Sequence, residues 1–240
     1  MKARIILLSI ILTGILFSSF ITPPPGGKEI ELVFTLDPYL GVRVGEKLNF
    51  YRYVADSGWA QVGDYIDLPE KTDEVVFTSR GQLGARVGSR LEFYFIGWFF
   101  MLETIDSLVF TIPDGADEII LSTGFDLGVR KGNLLRFYTY DKGWQYNSAY
   151  DYTFTKEPDE ILITVNGLLG ARTGRELKFY NILDQYKPVD AFDLTFEEDI
   201  DELAITGGGD LCVRTGKTLK FYNFSEKWNY FPAADFTVKD

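Results

Sequence analysis

The segment LGVRVGEKLNFY, residues 40–51, is the first of five copies of one twelve-residue pattern. The pattern reads Leu-(Gly/Cys)-(Val/Ala)-Arg-x-Gly-x-x-Leu-x-Phe-Tyr, and its copies align without a gap. The later copies span 83–94, 127–138, 169–180 and 211–222, so successive copies start 43, 44, 42 and 42 residues apart. A period this regular indicates an array of similar structural units, each of one supersecondary element.

Each unit reads as four short strands. A glutamate stands nine residues before the first leucine of every copy and opens a β-branched run that is too short for a helix. We therefore predict a first strand at 31–35, 74–78, 118–122, 160–164 and 202–206. The Leu-Gly-Val-Arg piece forms the second strand, which the fixed glycine closes, and Leu-x-Phe-Tyr forms the third. The fourth strand is predicted within 59–68, 104–112, 149–155, 191–196 and 233–238.

These units predict an all-β fold, a five-bladed β-propeller with four antiparallel strands per blade. The units lie near 28–70, 71–114, 115–156, 157–198 and 199–240. An open β-solenoid is the alternative, but it needs distinct capping ends, whereas the first and last units here are both complete. The sequence leaves open whether the final strand completes the last blade or crosses over to the first.

Residues 1–27 differ from the repeats. Lys2 and Arg4 precede an apolar run over 5–21, which is the pattern of a secretory signal peptide. An uncleaved membrane anchor through residues 5–21 is the alternative reading. Both readings predict an exported body that is secreted, periplasmic or on the cell surface.

The composition excludes several kinds of chemistry. Lys and Arg number 24 against 35 Asp and Glu, giving a net charge of −11, and the chain has one cysteine and no histidine. An acidic surface repels phosphate backbones, so we expect no nucleic-acid partner. An internal disulfide, a Cys/His zinc site and a histidine base are excluded. We expect no metal, no cofactor and a monomer, with Cys212 a buried thiol at a position that is glycine in the other copies.

The unit resembles the five-bladed tachylectin-2-type propeller. Leu40 to Gly45 and Leu127 to Leu135 carry this similarity best, whereas the fixed arginine and the Phe-Tyr pair depart from that family. The resemblance implies a lectin that binds N-acetylated sugars with one site per blade.

Two sets of residues are candidates for function. The first set contains aromatic residues near the loop before the fourth strand, where a ring could stack on a sugar or seal the outer edge of its blade: Trp59, Trp98, Trp144, Tyr186 and Trp228. The second set pairs the fixed arginines with the fixed glutamates, since a buried charge without a partner is very costly: Arg43, Arg86, Arg130, Arg172 and Arg214 with Glu31, Glu74, Glu118, Glu160 and Glu202. The alternative role for these arginines is anion binding.

We predict a non-enzymatic binding module, lectin-like, with a glycan as its partner. A scaffold for a protein partner, exported or membrane-tethered, is the alternative. A glycoside hydrolase, the third reading, would need two or three acids that break the five-fold repeat. The repeat-breaking acids are Asp37, Glu103, Asp126 and Asp210, and three of them lie in turns between the first and second strands, where an acid is more simply a turn former.

Overall fold

The computed structural model describes residues 30–34, 39–55, 57–78, 81–96, 101–122, 126–206, 209–225 and 227–238. The predicted leader, residues 1–27, lies outside these ranges. In the part of the chain that is described, no helix is long and apolar enough to cross a membrane.

The described residues form five antiparallel sheets, which are the blades, in chain order. The first blade contains β1 (Ile30–Phe34), β2 (Tyr39–Val44), β3 (Lys47–Val54), β4 (Gly58–Gln61) and β5 (Ile66–Asp67). The second contains β6 (Glu74–Phe77), β7 (Leu83–Val87), β8 (Arg90–Ile96), β9 (Leu102–Thr104) and β10 (Phe110–Thr111). The third contains β11 (Glu118–Leu121), β12 (Asp126–Lys131), β13 (Leu134–Tyr140), β14 (Trp144–Tyr146) and β15 (Tyr152–Thr153). The fourth contains β16 (Glu160–Ile163), β17 (Leu168–Thr173), β18 (Glu176–Asn181), β19 (Lys187–Pro188) and β20 (Leu194–Thr195). The fifth contains β21 (Glu202–Ile205), β22 (Leu211–Thr215), β23 (Thr218–Phe224), β24 (Trp228–Tyr230) and β25 (Phe236–Thr237).

The predicted architecture, a five-bladed propeller with four antiparallel strand positions per blade, is confirmed. The outermost strand differs from the prediction, because in every blade it is two short segments that pair with the same third strand. In the third blade, β14 and β15 both pair with β13, and the 3-10 turn Ser148–Tyr150 separates them. The predicted span 149–155 therefore missed β14. The 3-10 turn lifts the chain off the edge of the sheet between the two segments.

The fixed glycine of each copy has a conformational reason. Gly132 is the first of the two residues that join β12 to β13, and its φ is +59°. Two-residue hairpins of the II′ type need a positive φ at this position, which glycine adopts without a steric penalty. The equivalent glycines of the other four blades have φ values between +59° and +62°.

The core lies between the blades rather than within them. Side chains alternate along each strand, so one face of a blade packs on the opposite face of the next. Phe50 and Val33 of the first blade, for example, join Val75, Phe77 and Leu83 of the second in one buried cluster. Similar clusters fill the other four interfaces, including the one between the fifth and first blades.

The ring closes without exchange of a strand. β25 pairs with β23, so the final strand completes its own blade, which answers the question that the sequence left open. The innermost strands β1 and β21 contact each other, as do the innermost strands of the other neighbouring blades. This closed arrangement rules out the open solenoid.

Candidate ligand-binding site

The fixed arginine and the fixed glutamate of each blade are directly opposite in the register of the first two strands. Arg130 faces Glu118, and its Nε donates to Glu118 Oε2 at 2.9 Å. The shortest nitrogen–oxygen distances of the other four pairs lie between 2.6 and 3.0 Å. Arg130 also donates to the carbonyl of Gly132 at 3.2 Å. The guanidinium groups are thus directed at glutamate and backbone oxygens.

The same glutamates also link neighbouring blades. The Ile161 N–H of the fourth blade donates to Glu118 Oε1 of the third at 3.0 Å. The equivalent bond between the last and first blades runs from the Leu32 N–H to Glu202 Oε1 at 2.8 Å. Each glutamate therefore joins the arginine of its own blade to the backbone of the next, and these bonds continue around the whole ring.

Sequence reasoning missed an aspartate that supports this network. In four blades the residue before the fixed glutamate is aspartate, whose Oδ2 accepts from the amide of the turn glycine at 2.6 Å: Asp73, Asp117, Asp159 and Asp201. In the first unit Ile30 stands at this position. The Asp-Glu dipeptide in four of the five units is the signal that could have found it.

The five glutamates line one central channel with a cavity of about 310 Å³. Burial raises the pKa of Glu74 and of Glu160 to about 8, although the neighbouring arginine opposes the shift. The charge of other glutamates in the ring raises both values further. Burial likewise raises the pKa of Glu118 and that of Glu202. The channel is therefore a place where ionised carboxylates are costly.

Four of the five predicted aromatic residues lie between blades. The indole Nε1 of Trp144 donates to the Leu108 carbonyl at 2.9 Å, at the end of a 3-10 turn in the preceding blade. Trp228 and Trp59 donate in the same way to Phe192 at 2.7 Å and to Ala234 at 2.6 Å. In the fourth blade the Tyr186 hydroxyl takes this role and donates to the Tyr150 carbonyl. These side chains are half-buried or buried, and each indole N–H already has a protein acceptor.

Trp98 lies outside the residues that the structure describes. The register shows which residue of the second blade corresponds to the other aromatic positions. Leu102 faces Ile96 as Trp59 faces Tyr53 and Trp144 faces Tyr140. Leu102 is partly buried against the core between the first and second blades.

A cleft of about 260 Å³ opens between the fifth and first blades. Aromatic rings from both blades form part of its wall, together with polar side chains of the fifth blade. The residues that define this closing cleft are Tyr39, Tyr53, Trp59, Phe231, Asp210 and Asn223. Trp59 is held in place because one face stacks on Phe221, with ring centroids 5.0 Å apart.

The closing cleft exists because Ala234 is small. Ala234 ends the 3-10 turn Pro232–Ala234, and the equivalent turns in the second, third and fourth blades end in Leu108, Tyr150 and Phe192. Phe192 stacks on Phe224 of the next blade with centroids 3.9 Å apart. Tyr53 stands at the position of Phe224, beside a turn that ends in Ala234 rather than in an aromatic residue. Its ring packs edge-on against Phe231, and its hydroxyl donates to the Ala233 carbonyl at 3.0 Å.

The structure does not bring the three described repeat-breaking acids together. Glu103 lies on β9 of the second blade, Asp126 begins β12 of the third, and Asp210 lines the closing cleft beside the fifth. Asp37 is outside the described ranges. No cluster of three or more metal-ligating side chains occurs in the described part of the chain.

No protein-family model matches the chain, and no curated protein matches it. Solved structures do match. A chain from the mitotic checkpoint complex shares 9% identity with a TM-score of 0.51, over 90% of this chain and 80% of that one. Kluyveromyces lactis Hsv2 with loop 6CD replaced by a Gly-Ser linker shares 8% identity with a TM-score of 0.51, and the match covers 85% of this chain and 98% of that one. Virginiamycin B lyase from Staphylococcus aureus shares 10% identity with a TM-score of 0.45, and the match covers 91% of this chain and 72% of that one. At these identities the likeness is one of fold, a β-propeller that is consistent with a binding module.

Proposed function

We propose that this propeller is an exported, non-enzymatic lectin that binds a neutral sugar in the closing cleft. The observation that carries the proposal is the combination, in one cleft, of aromatic rings and hydrogen-bonding side chains. It is found where Ala234 breaks the repeat. The tachylectin-2-type resemblance of the units supports the same ligand class, with N-acetylated sugars as the first candidates.

The chemistry of the closing cleft suits a sugar. Tyr39 and Phe231 are 38% and 41% exposed, so their rings can cover the C–H face of a pyranose. Asp210 and Asn223 offer oxygen and amide groups to its hydroxyls. The cavity of about 260 Å³ is close to the lower end of ligand pockets, ~300 Å³, and therefore suits a single sugar unit rather than a long chain.

Binding without turnover is part of the proposal. Hydrolysis of a glycoside needs two carboxyl groups that flank one bond. Asp210 is the single carboxylate among the described residues that line the closing cleft. The described residues of the closing cleft thus supply one acid and several rings, which can hold a sugar, but not the second acid that the hydrolase reaction uses.

Export is also part of the proposal and rests on the signal-like pattern of residues 1–27. Expression of the full chain in a secreting host tests it. We expect the protein outside the cytoplasm, either free with a shortened N-terminus or attached to the membrane. Protein that stays in the cytoplasm at full length would contradict export without affecting the sugar site.

Ala234→Phe tests the sugar site, because it copies Phe192 of the fourth blade and fills the closing cleft. The matched control is Ala191→Phe, which makes the same change at an exposed position of the 3-10 turn in the fourth blade. A glycan array followed by calorimetry with N-acetylglucosamine should show binding by the native chain and by Ala191→Phe. We expect at least tenfold weaker binding by Ala234→Phe. An array without any bound sugar, or equal binding by all three proteins, would refute the proposal.

A protein partner is the second candidate. Phe95 and Met101 are 52% and 66% exposed on the hairpin between the third and outermost strands of the second blade. Contiguous exposed apolar patches mark interaction surfaces, and these two side chains of one hairpin would form part of such a patch. One of the similar propellers belongs to the mitotic checkpoint complex. Loss of a partner on Phe95→Ser, with sugar binding unchanged, would favour this function.

A further inference from the structure

A third cavity, of about 580 Å³, lies between the third and fourth blades. It is bounded by the linker that joins these blades and by the second and third strands of the fourth blade. We call it the basic groove because three cations and one acid are among its lining residues: Lys156, Arg175, Lys178 and Glu176. The net charge of the chain is −11, so a groove with an excess of cations contrasts with the acidic character of the chain as a whole.

The basic groove arises where the repeat breaks an ion pair. Asp114 and Glu198 stand four residues before their fixed glutamates, and each pairs with a basic residue on the third strand of the following blade. Asp114 lies 3.6 Å from Arg136, and Glu198 accepts from Lys220. In the linker between the third and fourth blades the same position is Lys156. Lys178 faces Ala171 across the strands as Arg136 faces Val129. A lysine has therefore replaced the acid while the basic partner is retained.

The cations of the basic groove are only partly neutralised by the protein. Lys156 forms no ion pair with any described residue. Lys178 is 3.9 Å from Glu176, which is a loose contact between exposed groups. Arg175 lines the groove, and its Nε donates to Asp199 Oδ1 at 2.7 Å. Two like charges that face one cavity repel each other, and an anion between them relieves this repulsion.

Tyrosine rings form another wall of the basic groove. Tyr152 and Tyr180 both line it, with ring centroids 5.7 Å apart. Tyr152 is fixed from behind by Tyr186, on which it stacks with centroids 4.2 Å apart. Two half-buried rings beside two cations match a ligand that carries an acidic group on a flat, partly apolar ring.

We propose that the basic groove binds an acidic sugar, in which a carboxylate or sulfate meets Lys156 and Lys178 while the sugar ring lies against Tyr152 and Tyr180. This inference rests on the proposed lectin function only in taking a sugar as the body of the ligand. The groove is on a different interface from the closing cleft, so the two sites can be tested separately.

The test is calorimetric titration of the full chain with glucuronic acid, glucose 6-sulfate and glucose at low ionic strength. Lys156→Asp restores the acid of the other linkers and gives Lys178 the partner that Arg136 and Lys220 have. Lys227→Asp makes the same change of charge at an exposed position of the fifth blade and is the matched control. The thermal midpoint and near-ultraviolet circular dichroism of each variant establish that it is folded.

We expect one or both acidic sugars to bind the native chain, with glucose at least tenfold weaker. Lys156→Asp should weaken the acidic sugar at least tenfold, and Lys227→Asp less than twofold. The acid that binds more tightly identifies carboxylate or sulfate as the preferred group. Failure of both acids to bind, equal binding of glucose, or equal losses in the two variants would each overturn the proposal. None of these outcomes bears on Ala234→Phe, which tests the closing cleft with a neutral sugar.

Discussion

Ala204 and Cys212 face each other across β21 and β22, at the position where the other four blades pair a larger aliphatic side chain with glycine. A Cβ atom on Gly170 would come within 2.7 Å of Leu162, and one on Gly128 within 2.7 Å of Ile120. The fifth blade has room for a side chain at 212 because the side chain at 204 is short. Both residues are buried, so the two changes compensate within the core.

This compensation predicts a measurable coupling. Cys212→Gly leaves a small void and should cost about 1–2 kcal/mol of unfolding free energy. Ala204→Leu overpacks the same space and should cost about 1–3 kcal/mol. The double variant recreates the Leu162–Gly170 arrangement and should lose much less than the sum. Urea unfolding of the four proteins measures this cycle, and strictly additive losses would contradict the packing described for this pair.

The buried arginines should be far more important for stability than the exposed ones. Arg172→Met removes the buried guanidinium that donates to Glu160 and to the Gly174 carbonyl, so both acceptors lose a partner, and we expect a loss of about 2–5 kcal/mol. The double variant Arg172→Met/Glu160→Gln should recover part of this loss, because glutamine cannot ionise in the buried channel and retains an acceptor for the Leu203 amide. Arg175→Ala removes a fully exposed ion pair and serves as the control, with little change expected. Chemical denaturation of the three variants decides the matter. Similar losses for Arg172→Met and Arg175→Ala would be inconsistent with the network.

The channel glutamates predict an unusual dependence of stability on pH. Glu160 has a pKa of about 8 in the folded chain, whereas an unfolded glutamate titrates at about 4.3. The folded state thus retains a proton that the unfolded state has lost, so this group's contribution to stability is greatest below pH ~4.3. It declines as the pH rises toward 8.

We therefore expect the thermal midpoint to fall between pH 5 and pH 8. The slope should be smaller in Glu160→Gln, which cannot titrate at this position, whatever its absolute stability. Differential scanning calorimetry across this range gives the slope directly. A midpoint that rises with pH, or equal slopes for both proteins, would count against costly ionisation in the channel.

The tryptophans between blades predict a specific effect of losing one hydrogen bond. Trp144→Phe retains an aromatic ring next to Phe93 but removes the donor to the buried Leu108 carbonyl. We expect a loss of about 1–3 kcal/mol, the usual cost of an unsatisfied buried acceptor. Tyr146→Phe, two residues along the same strand, removes an exposed hydroxyl that donates to Asp151 of the same blade, and should change stability less than Trp144→Phe. Equal effects in thermal unfolding would mean that the indole donor does not tie the second and third blades together.

The fold could be predicted because the same residues recur wherever the same structural requirement recurs in each blade. Gly132 is needed for a positive φ at a hairpin, and Arg130 with Glu118 for a charge pair at one register position. The split outermost strand was not predicted, although three of its 3-10 turns begin a shared x-Ala-x-Asp-x-Thr segment, at 148–153, 190–195 and 232–237, because that segment does not itself show that the chain leaves the sheet there. The two cavities depend on residues that depart from the repeat. The roles of Ala234 and Lys156 become clear only when the side chains that they face across an interface are known. The sequence of one strand does not show which residues of the next blade it contacts.

Because the ring closes without an exchanged strand, the seam between the fifth and first blades differs from the other four interfaces. A peptide linker holds the blades together at the other four interfaces, whereas among the described residues the fifth blade joins the first through side-chain packing and hydrogen bonds, such as that from the Leu32 amide to Glu202. Local opening of the native state should therefore start at this seam, where separation stretches no chain. The closing cleft lies in the same seam. A sugar that contacts both walls would stabilise the closed seam and slow amide exchange at Leu32. Its affinity would in turn depend on how often the seam opens.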